Sequence, residues 1–256
     1  MIRRKDIITA AFSAAAAGYE AAAEIQDRVA RRLADRVAAL PPLPSEAMGV
    51  ELGCGTGLLT RRLLAILPED ARLLATDLSP AMVAQAQGAT HDPRAAFAVM
   101  DAEAPALPAG TVQLMASSLA AQWFTDLQGT LAALSEALAP GGHLMLATLG
   151  GGTFSEWRAA HVAQGLVSGS PDYPDAATLA ALAPADCHIQ VESESLTSHH
   201  ADGRTFLKAL AAIGAATPRP DHRPLTPGQM RRVLAALGKP CAITWDILFL
   251  TCTKKD

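Results

Sequence analysis

The stretch Val50–Thr60 reads VELGCGTGLLT and decides the fold of this chain of 256 residues. Apolar residues precede its glycines and leucines follow them at helical spacing, which predicts a strand, a glycine-rich turn and a helix. Because glycine has no Cβ, such a turn lets the backbone approach a bound ligand closely. The first amides of the helix then face whatever negative group the ligand presents. The stretch therefore predicts a ligand site at the end of the first strand.

The glycine spacing distinguishes between kinds of ligand. The dinucleotide fingerprint G-x-G-x-x-G requires a glycine where this chain has Leu58 or Thr60, so an NAD-binding module is the weaker alternative. A P-loop requires a lysine after the last glycine, and Leu58 follows Gly57 instead. The pattern E-x-G-x-G-x-G, from Glu51 to Gly57, resembles that of class I S-adenosylmethionine (SAM) methyltransferases.

The second predicted strand, residues 72–77, is a short apolar run that ends in Asp77. This acid follows Gly57 by twenty residues, where doubly wound folds place the carboxylate that binds ribose hydroxyls. Ser79 followed by Pro80 predicts a capped helix start. Since Ser79 already provides the cap, we expect Asp77 to be free to bind a ligand.

The third predicted strand, residues 96–100, is closed by Asp101. An acid here is expected to accept a hydrogen bond from an adenine amino group while the amide of Ala102 donates to the ring. Glu51, Asp77 and Asp101 then end consecutive strands at one sheet edge. We expect all three to face a common cleft, where the ammonium, ribose and adenine of SAM would each meet one of them.

Composition excludes several classes of protein. Half of the residues are hydrophobic and 18% are charged, as in globular proteins. The net charge is −4 without a sustained basic stripe, which disfavours nucleic-acid binding. The four cysteines form no C-x-x-C pair, so neither a metal site nor a disulfide framework is predicted, and the expected location is cytoplasmic. No apolar run reaches the length of a membrane span.

The chain divides into a helical segment and one α/β domain. Residues 1–44 are expected to form an N-terminal helical lid that ends in the proline-rich run 41–44. Residues 45–256 are expected to form the SAM-binding domain, with an insertion at about 150–186. The strand–helix alternation predicts a doubly wound, seven-stranded, mostly parallel Rossmann-like sheet. The remaining predicted elements are strands at 112–116, 143–149, 187–197 and 242–252 and helices near 153–165, 204–213 and 226–237, with the last strand antiparallel beside strand five and His199 and His200 in a solvated loop.

A narrower resemblance covers most of the chain. Segments 10–26, 53–57, 77–82, 117–123, 148–156 and 206–226 resemble the malonyl-acyl carrier protein O-methyltransferases of biotin synthesis (BioC). The resemblance implies SAM as cofactor, S-adenosylhomocysteine as product and methylation of a free carboxylate. A carboxylate is ionised at neutral pH, so no catalytic acid or base is expected. It also implies an acyl carrier protein or a small carboxylate as the partner, with the enzyme a monomer or weak dimer.

The motifs and the resemblance together predict the site residues. The expected cofactor-binding residues are Glu51, Gly53, Cys54, Gly55, Gly57, Asp77, Leu78, Met82, Asp101, Ala102 and Ser117. The expected pocket residues for the acceptor are Tyr19, Gln122 and Trp123. The basic residues that could meet an acidic carrier protein are Arg158, Arg204, Lys208, Arg219, Arg223, Arg231 and Arg232.

Some residues depart from the BioC pattern and leave alternatives open. Gln113 stands where an Asp is usual, and Ser118 where an Asn is common. Ser117–Ser118 and Gly150–Thr153 are also similar to a family of respiratory complex I assembly factors that bind SAM and are associated with arginine hydroxylation. A methyltransferase acting on another small carboxylic acid or a phenol is the other alternative.

Overall fold

The computed structural model describes residues 4–182 and 184–256, and the strands within them form one seven-stranded sheet. The strands are β1 (Met48–Leu52), β2 (Arg72–Asp77), β3 (Ala95–Val99), β4 (Val112–Ser118), β5 (Leu138–Leu149), β6 (Cys187–His200) and β7 (Cys241–Lys254). Their order is β3-β2-β1-β4-β5-β7-β6, with β1 to β5 parallel and β7 antiparallel to both β5 and β6. The predicted doubly wound, mostly parallel sheet and the antiparallel last strand are confirmed.

The helices lie where capping residues and apolar periodicity place them. They are α1 (Arg4–Ala15), α2 (Tyr19–Ala22), α3 (Glu24–Ala38), α4 (Leu58–Ile66), α5 (Pro80–Ala89), α6 (Leu127–Ala137), α7 (Ser155–Val162), α8 (Ala176–Ala181), α9 (Gly203–Ala212) and α10 (Pro227–Leu237). Ser79 caps α5 by accepting a hydrogen bond from the amide of Met82, as predicted. Thr226 and Gln229 form a capping box at the start of α10.

Four strands are longer than the sequence predicts. β4 continues to Ser118, β5 begins at Leu138, β6 reaches His200 and β7 runs from Cys241 to Lys254. The prediction that His199 and His200 lie in a solvated loop was wrong. Both pair with β7, and the His200 ring packs at 5.4 Å from that of Phe206. Pairing with the long β7 extends β6, which the short alternating run in the sequence did not indicate.

The hydrophobic core lies on both faces of the sheet. α3 and α4 cover one face, where Leu33 and Leu63 are fully buried, and α6 covers the other with Leu134. The carboxyl ends of β1 to β4 therefore share one edge, and the loops that follow them gather there. Within the described parts of the chain, no helix is both long and apolar enough to cross a membrane.

Candidate active site

The glycine turn after β1 has the backbone conformation that its composition predicts. Gly53, Gly55 and Gly57 have φ values of +73°, +54° and +90°, which side chains rarely adopt. A Cβ on Gly53 would lie 2.4 Å from the Cβ of Ala120, so this glycine lets two loops pack together. A Cβ on Gly55 would meet no protein atom within 4 Å. Gly55 therefore leaves space open above the turn.

That space belongs to a cavity, here called the main cavity. Its empty volume is about 800 Å³, which includes the part open to solvent and lies within the usual range for ligand pockets. The loops after β1, β2, β3 and β4 all contribute to it. The predicted cofactor residues that line it are Gly53, Gly55, Asp77, Leu78, Met82, Asp101 and Ala102.

Asp77 is fixed at the centre of this edge. One of its carboxylate oxygens accepts a hydrogen bond from the Gly55 amide at 3.0 Å, and the other accepts one from the Ser79 amide at 2.8 Å. Asp77 was expected to be wholly available to a ligand, but two backbone amides already occupy two of its acceptor positions. A carboxylate has about four such positions, so two remain for a ligand. Burial raises the pKa of Asp77, and these amide bonds counteract that effect.

Asp101 takes part in an ion pair that the sequence did not indicate. The Lys5 ammonium lies 2.6 Å from Asp101 and 2.5 Å from Glu103. Burial alone lowers the pKa of Lys5, but the hydrogen bonds to the two carboxylates raise it above its ordinary value. The cavity wall formed after β3 is thus attached to the N-terminal helix.

Helix α1 covers the main cavity, which it lines through Lys5, Ile8, Thr9 and Phe12. The Phe12 ring packs edge-on against Trp123 at 5.5 Å. The Ser13 hydroxyl lies 2.8 Å from that of Ser79 at the start of α5. This placement is the one that a lid requires, although movement of the lid stays a prediction.

Glu51 lies beneath the glycine turn. It is 1% exposed, and it accepts a hydrogen bond from the Thr60 hydroxyl at 2.5 Å. Burial raises the pKa of Glu51 to about 8. Glu51 and Cys54 line a smaller cavity, the glycine-loop cavity, which shares Gly53 and Gly55 with the main cavity. The three acids therefore do not line a single cavity, since Glu51 faces the adjoining one.

Two predicted cofactor residues lie elsewhere. Ser117 is fully buried within β4, whereas its neighbour Ser118 lines both the main and the glycine-loop cavities. Because β4 runs on to Ser118, strand alternation turns these two side chains to opposite faces. Gly57 begins α4, where an added Cβ would be 3.4 Å from Ala86, so it serves the packing of α4 on α5. We therefore replace Ser117 by Ser118 as the expected contact.

A further cavity, here called the inner cavity, joins the main cavity. The two share Phe12, Tyr19, Leu119 and Trp123, and Tyr19 also lines the glycine-loop cavity. All three predicted acceptor residues line the inner cavity. Its complete lining is Phe12, Tyr19, Gln26, Leu119, Gln122, Trp123, Leu149, Phe154, Tyr173, Leu210, Ile213, Ala215 and Trp245.

Comparison with known proteins gives the family. A model described as "Methyltransferase domain" matches residues 50–142. The biotin biosynthesis bifunctional protein BioCD of Bordetella avium is 44% identical over 93% of this chain, and the chain spans about half (50%) of that relative's length. The malonyl-acyl carrier protein O-methyltransferase of Magnetococcus marinus is 40% identical over 86% of this chain and 82% of its own.

The chain belongs to the malonyl-acyl carrier protein O-methyltransferase family. It is an S-adenosylmethionine-dependent methyltransferase. The fold agrees, because a phosphoethanolamine methyltransferase of Haemonchus contortus has a similar structure with a TM-score of 0.57 at 17% identity. That likeness covers 88% of this chain and 53% of the other, which was solved with phosphomonomethylethanolamine and S-adenosylhomocysteine.

The site of this family member fits SAM on its own geometry. The open space above Gly55 leaves room for the ligand to lie against the backbone, and Asp77 retains acceptor positions for ribose hydroxyls. The glycine-loop cavity brings Glu51 close to the turn, where an ammonium would find an acid. These contacts are expectations that follow from the shape and charge of the site.

Four residues that line the cavities were not among the site residues predicted from the sequence. Lys5 lines the main cavity, Gln26 and Tyr173 line the inner cavity, and Ser118 lines the main cavity. Gln26 lies in segment 10–26, which resembles BioC, and that resemblance was the only feature of the sequence that pointed to it. Tyr173 lies in the insertion and Lys5 in the first turn of α1, and no local pattern distinguishes either residue.

Proposed function

We propose that this enzyme transfers the methyl group of SAM to the free carboxylate of a malonyl group carried by an acyl carrier protein, and that it does so in the cytoplasm. The observation that carries this proposal is the uncharged lining of the inner cavity beside the cofactor residues, in which Tyr19, Gln26, Gln122 and Tyr173 lie among apolar side chains. Among its described lining residues, the ionisable side chains are Tyr19 and Tyr173. The family relationship supports the same acceptor.

The tyrosines act as hydrogen-bond donors. Burial raises the pKa of Tyr173 to about 12, and burial followed by the charge of Asp77 raises the pKa of Tyr19 further still. Both hydroxyls therefore stay protonated at neutral pH. A carboxylate that enters the inner cavity can accept hydrogen bonds from them without receiving a proton.

Two glutamines complete the polar lining. Gln122 donates to the Leu119 carbonyl at 2.7 Å, which holds its side chain in place. The Gln26 amide has no hydrogen-bond partner among the described residues, so it is available to an acceptor. A carboxylate among neutral donors keeps its negative charge, and that charge is attracted to a sulfonium.

The positions of the cavities provide the orientation that methyl transfer needs. SAM supplies an electrophilic methyl group when it is bound. Tyr19 lies where the main, inner and glycine-loop cavities meet, so it can align an acceptor with the cofactor residues. Proximity and orientation of this kind supply at most about 7–11 kcal/mol of the barrier.

A phenol fits this lining less well. A phenol has a pKa near 10 and must lose a proton to become a good nucleophile, which calls for a base. The two tyrosines are poor bases because both remain protonated. A carboxylate has no such requirement, so the lining favours an acid as acceptor.

Methyl transfer to defined acceptors tests the proposal. The protein is incubated with methyl-labelled SAM and either malonyl-carrier protein, acetyl-carrier protein or free malonate. We expect label on the malonyl-carrier protein as a base-labile ester and none on the acetyl form, which lacks the free carboxylate. Label on free malonate alone would favour a small carboxylic acid as acceptor. Cofactor binding without transfer to any of them would favour an assembly-factor role.

A further inference from the structure

A fourth cavity continues the path from the inner cavity to the surface. This outer cavity has an empty volume of about 820 Å³, including the part open to solvent. It shares Trp123, Phe154, Tyr173, Leu210 and Ala215 with the inner cavity. Further out it is lined by residues of segment 216–218, of which Ala216 and Pro218 are exposed. The main, inner and outer cavities thus lie in series.

The series gives an acceptor a route that does not cross the cofactor site. Helix α1 covers the main cavity, and Lys5 fixes it to Asp101 and Glu103. An acceptor attached to a carrier protein can instead enter from the opposite end, through the outer cavity. A folded protein is too large for such a passage, so only a flexible prosthetic arm can pass through it.

The lining of the outer cavity suits an arm that contains amides. It is mostly apolar, with Trp157, Leu207 and Met230 among its residues. His161 is 1% exposed, and its Nδ1 donates to the Trp157 carbonyl at 2.8 Å. Burial lowers the pKa of His161, so the neutral ring leaves Nε2 as a hydrogen-bond acceptor. An amide N–H of the arm is a matching donor.

The helices beside this cavity carry most of the uncompensated positive charge. Residues 203–240 contain seven Lys and Arg but one Asp, a formal charge of +6 in a chain whose net charge is −4. Leu207 and Met230 line the outer cavity, and each is followed directly by an exposed cation, Lys208 on α9 and Arg231 on α10. Together with the exposed Arg204 and Arg232, these form what we call the basic surface.

These cations differ from the arginines of α3. On α3, Arg28, Arg31, Arg32 and Arg36 each pair with a carboxylate of α3 or β6. The side chains of the four residues of the basic surface make no hydrogen bond or ion pair within the described chain. Arg204, Arg231 and Lys239 also line a common surface depression of about 530 Å³, together with Asp202, whose carboxylate lies 3.9 Å from the Lys239 ammonium. A solvated helix face does not require such convergence.

We infer that the outer cavity admits the prosthetic arm of an acyl carrier protein and that the basic surface of α9 and α10 docks the acidic face of that carrier. This inference rests on the proposed function, since it names how the same acceptor reaches the inner cavity. Charge complementarity of this kind acts mainly on association and weakens as salt is added.

Charge reversal tests the docking surface. The double variant Arg204→Glu, Arg231→Glu is compared with Arg31→Glu, Arg72→Glu, which changes the net charge equally on other elements, α3 and β2. Kinetics are measured with malonyl-carrier protein and with malonyl-pantetheine, which has the arm without the carrier. We expect the first variant to raise KM for the carrier by about tenfold, with kcat and malonyl-pantetheine turnover unchanged. The control variant should behave like the wild type.

A narrowing substitution tests the passage. Leu207→Trp should reduce kcat/KM for malonyl-pantetheine and for the carrier while leaving turnover of malonyl-N-acetylcysteamine, which has a short arm, and the SAM affinity unchanged. Val162→Trp, at a residue that is 73% exposed, is the matched control. Equal losses with all three substrates would overturn the passage.

Carrier binding measured by fluorescence anisotropy separates the two levels of failure. If the wild type methylates malonyl-carrier protein and the charge-reversed variant binds and turns it over equally well, the docking inference is wrong. If the wild type binds the carrier but methylates no malonyl thioester, and the charge-reversed variant does not bind the carrier, the proposed function fails and the docking surface stands. If the wild type neither methylates nor binds the carrier, both are overturned.

Discussion

The cofactor side and the acceptor side of this enzyme are assembled in different ways. Most of the cofactor side is built from the loops after β1 to β4, within residues 53–124, and α1 covers it. Each of these loops directly follows a strand of the parallel sheet. The acceptor side, which consists of the inner and outer cavities, draws on α1 to α3, the insertion and α9, as far apart as Phe12 and Trp245. The first is a property of local sequence, whereas the second depends on how distant segments pack.

This difference makes a testable division. Changes on the cofactor side should weaken SAM binding, and changes confined to the acceptor side should reduce methyl transfer while SAM binding is retained. Each of the following substitutions either supports that division or breaks it.

Gly55→Val is expected to have the largest effect. The new side chain would occupy the open space above the turn and force a β-branched residue into a left-handed conformation. We expect no measurable SAM binding by calorimetry, with a folded protein by circular dichroism. Gly110→Val is the matched control, because Gly110 has φ +68° and no atom near its Cβ either. SAM binding by Gly55→Val at wild-type affinity would contradict the placement of the cofactor.

Glu51 should give SAM binding a dependence on pH. A bound ammonium favours ionised Glu51, whose pKa is about 8 in the free protein, so binding below that pH must release a proton. We expect the affinity to fall by up to about tenfold per pH unit between pH 8 and pH 6. Glu51→Gln should remove this dependence in calorimetric titrations. An equally steep dependence in Glu51→Gln would show that another group is responsible.

The same pKa has a consequence for stability. Because the folded pKa of Glu51 is raised above its unfolded value near 4.3, folding favours its protonated form. Its contribution to the free energy of unfolding therefore decreases as the pH rises from the unfolded pKa to about 8. The Tm of Glu51→Gln should consequently exceed the Tm of the wild type by more at pH 9 than at pH 5. A lower Tm at pH 9 than the wild type would contradict the burial of this acid.

Asp77→Ala should weaken SAM binding by about 1–3 kcal/mol through the loss of its hydrogen bonds. The matched control is Asp126→Ala, which removes a helix cap on α6 but no predicted ligand contact. Both variants should lose some stability, and only Asp77→Ala should lose SAM affinity. An unchanged calorimetric affinity would remove Asp77 from the site.

Tyr19→Phe tests the boundary between the two sides. The loss of one hydroxyl at the junction of the cavities should lower kcat/KM for malonyl-carrier protein by about tenfold. SAM affinity should change much less, because Asp77 and the glycine turn remain. Tyr173→Phe lies on the inner cavity away from the main cavity and should act mainly on KM for the acceptor. A large loss of SAM affinity in Tyr19→Phe would place this residue on the cofactor side.

The sequence predicted the elements that form the cofactor side, because strand, turn and helix follow one another there. The first three strands, the glycine turn and the positions of Asp77 and Asp101 at strand ends all follow from runs of fewer than ten residues. The error at Ser117 arose from a strand end two residues too early, which reverses the face of a side chain. The environment of Glu51 depends on burial, which its strand pattern could not quantify.

Local patterns did not predict the acceptor side or the contact between α1 and the main cavity. Tyr19, Gln122 and Trp123 were expected in the pocket and do line the inner cavity, but Tyr173 reaches it from an insertion without periodicity. Lys5 contacts Asp101 across 96 residues of sequence, and a lone lysine in a helix gives no sign of such a partner. The packing of α1 on the sheet edge brings these two residues together.

A crystal structure with S-adenosylhomocysteine and malonyl-pantetheine would test the account most directly. It should show the nucleoside in the main cavity, with its ribose on Asp77, and the malonyl carboxylate in the inner cavity among Tyr19, Gln26 and Gln122. The arm should then leave through the outer cavity past His161. A malonyl group bound outside the inner cavity, or a nucleoside that does not contact Asp77, would contradict it.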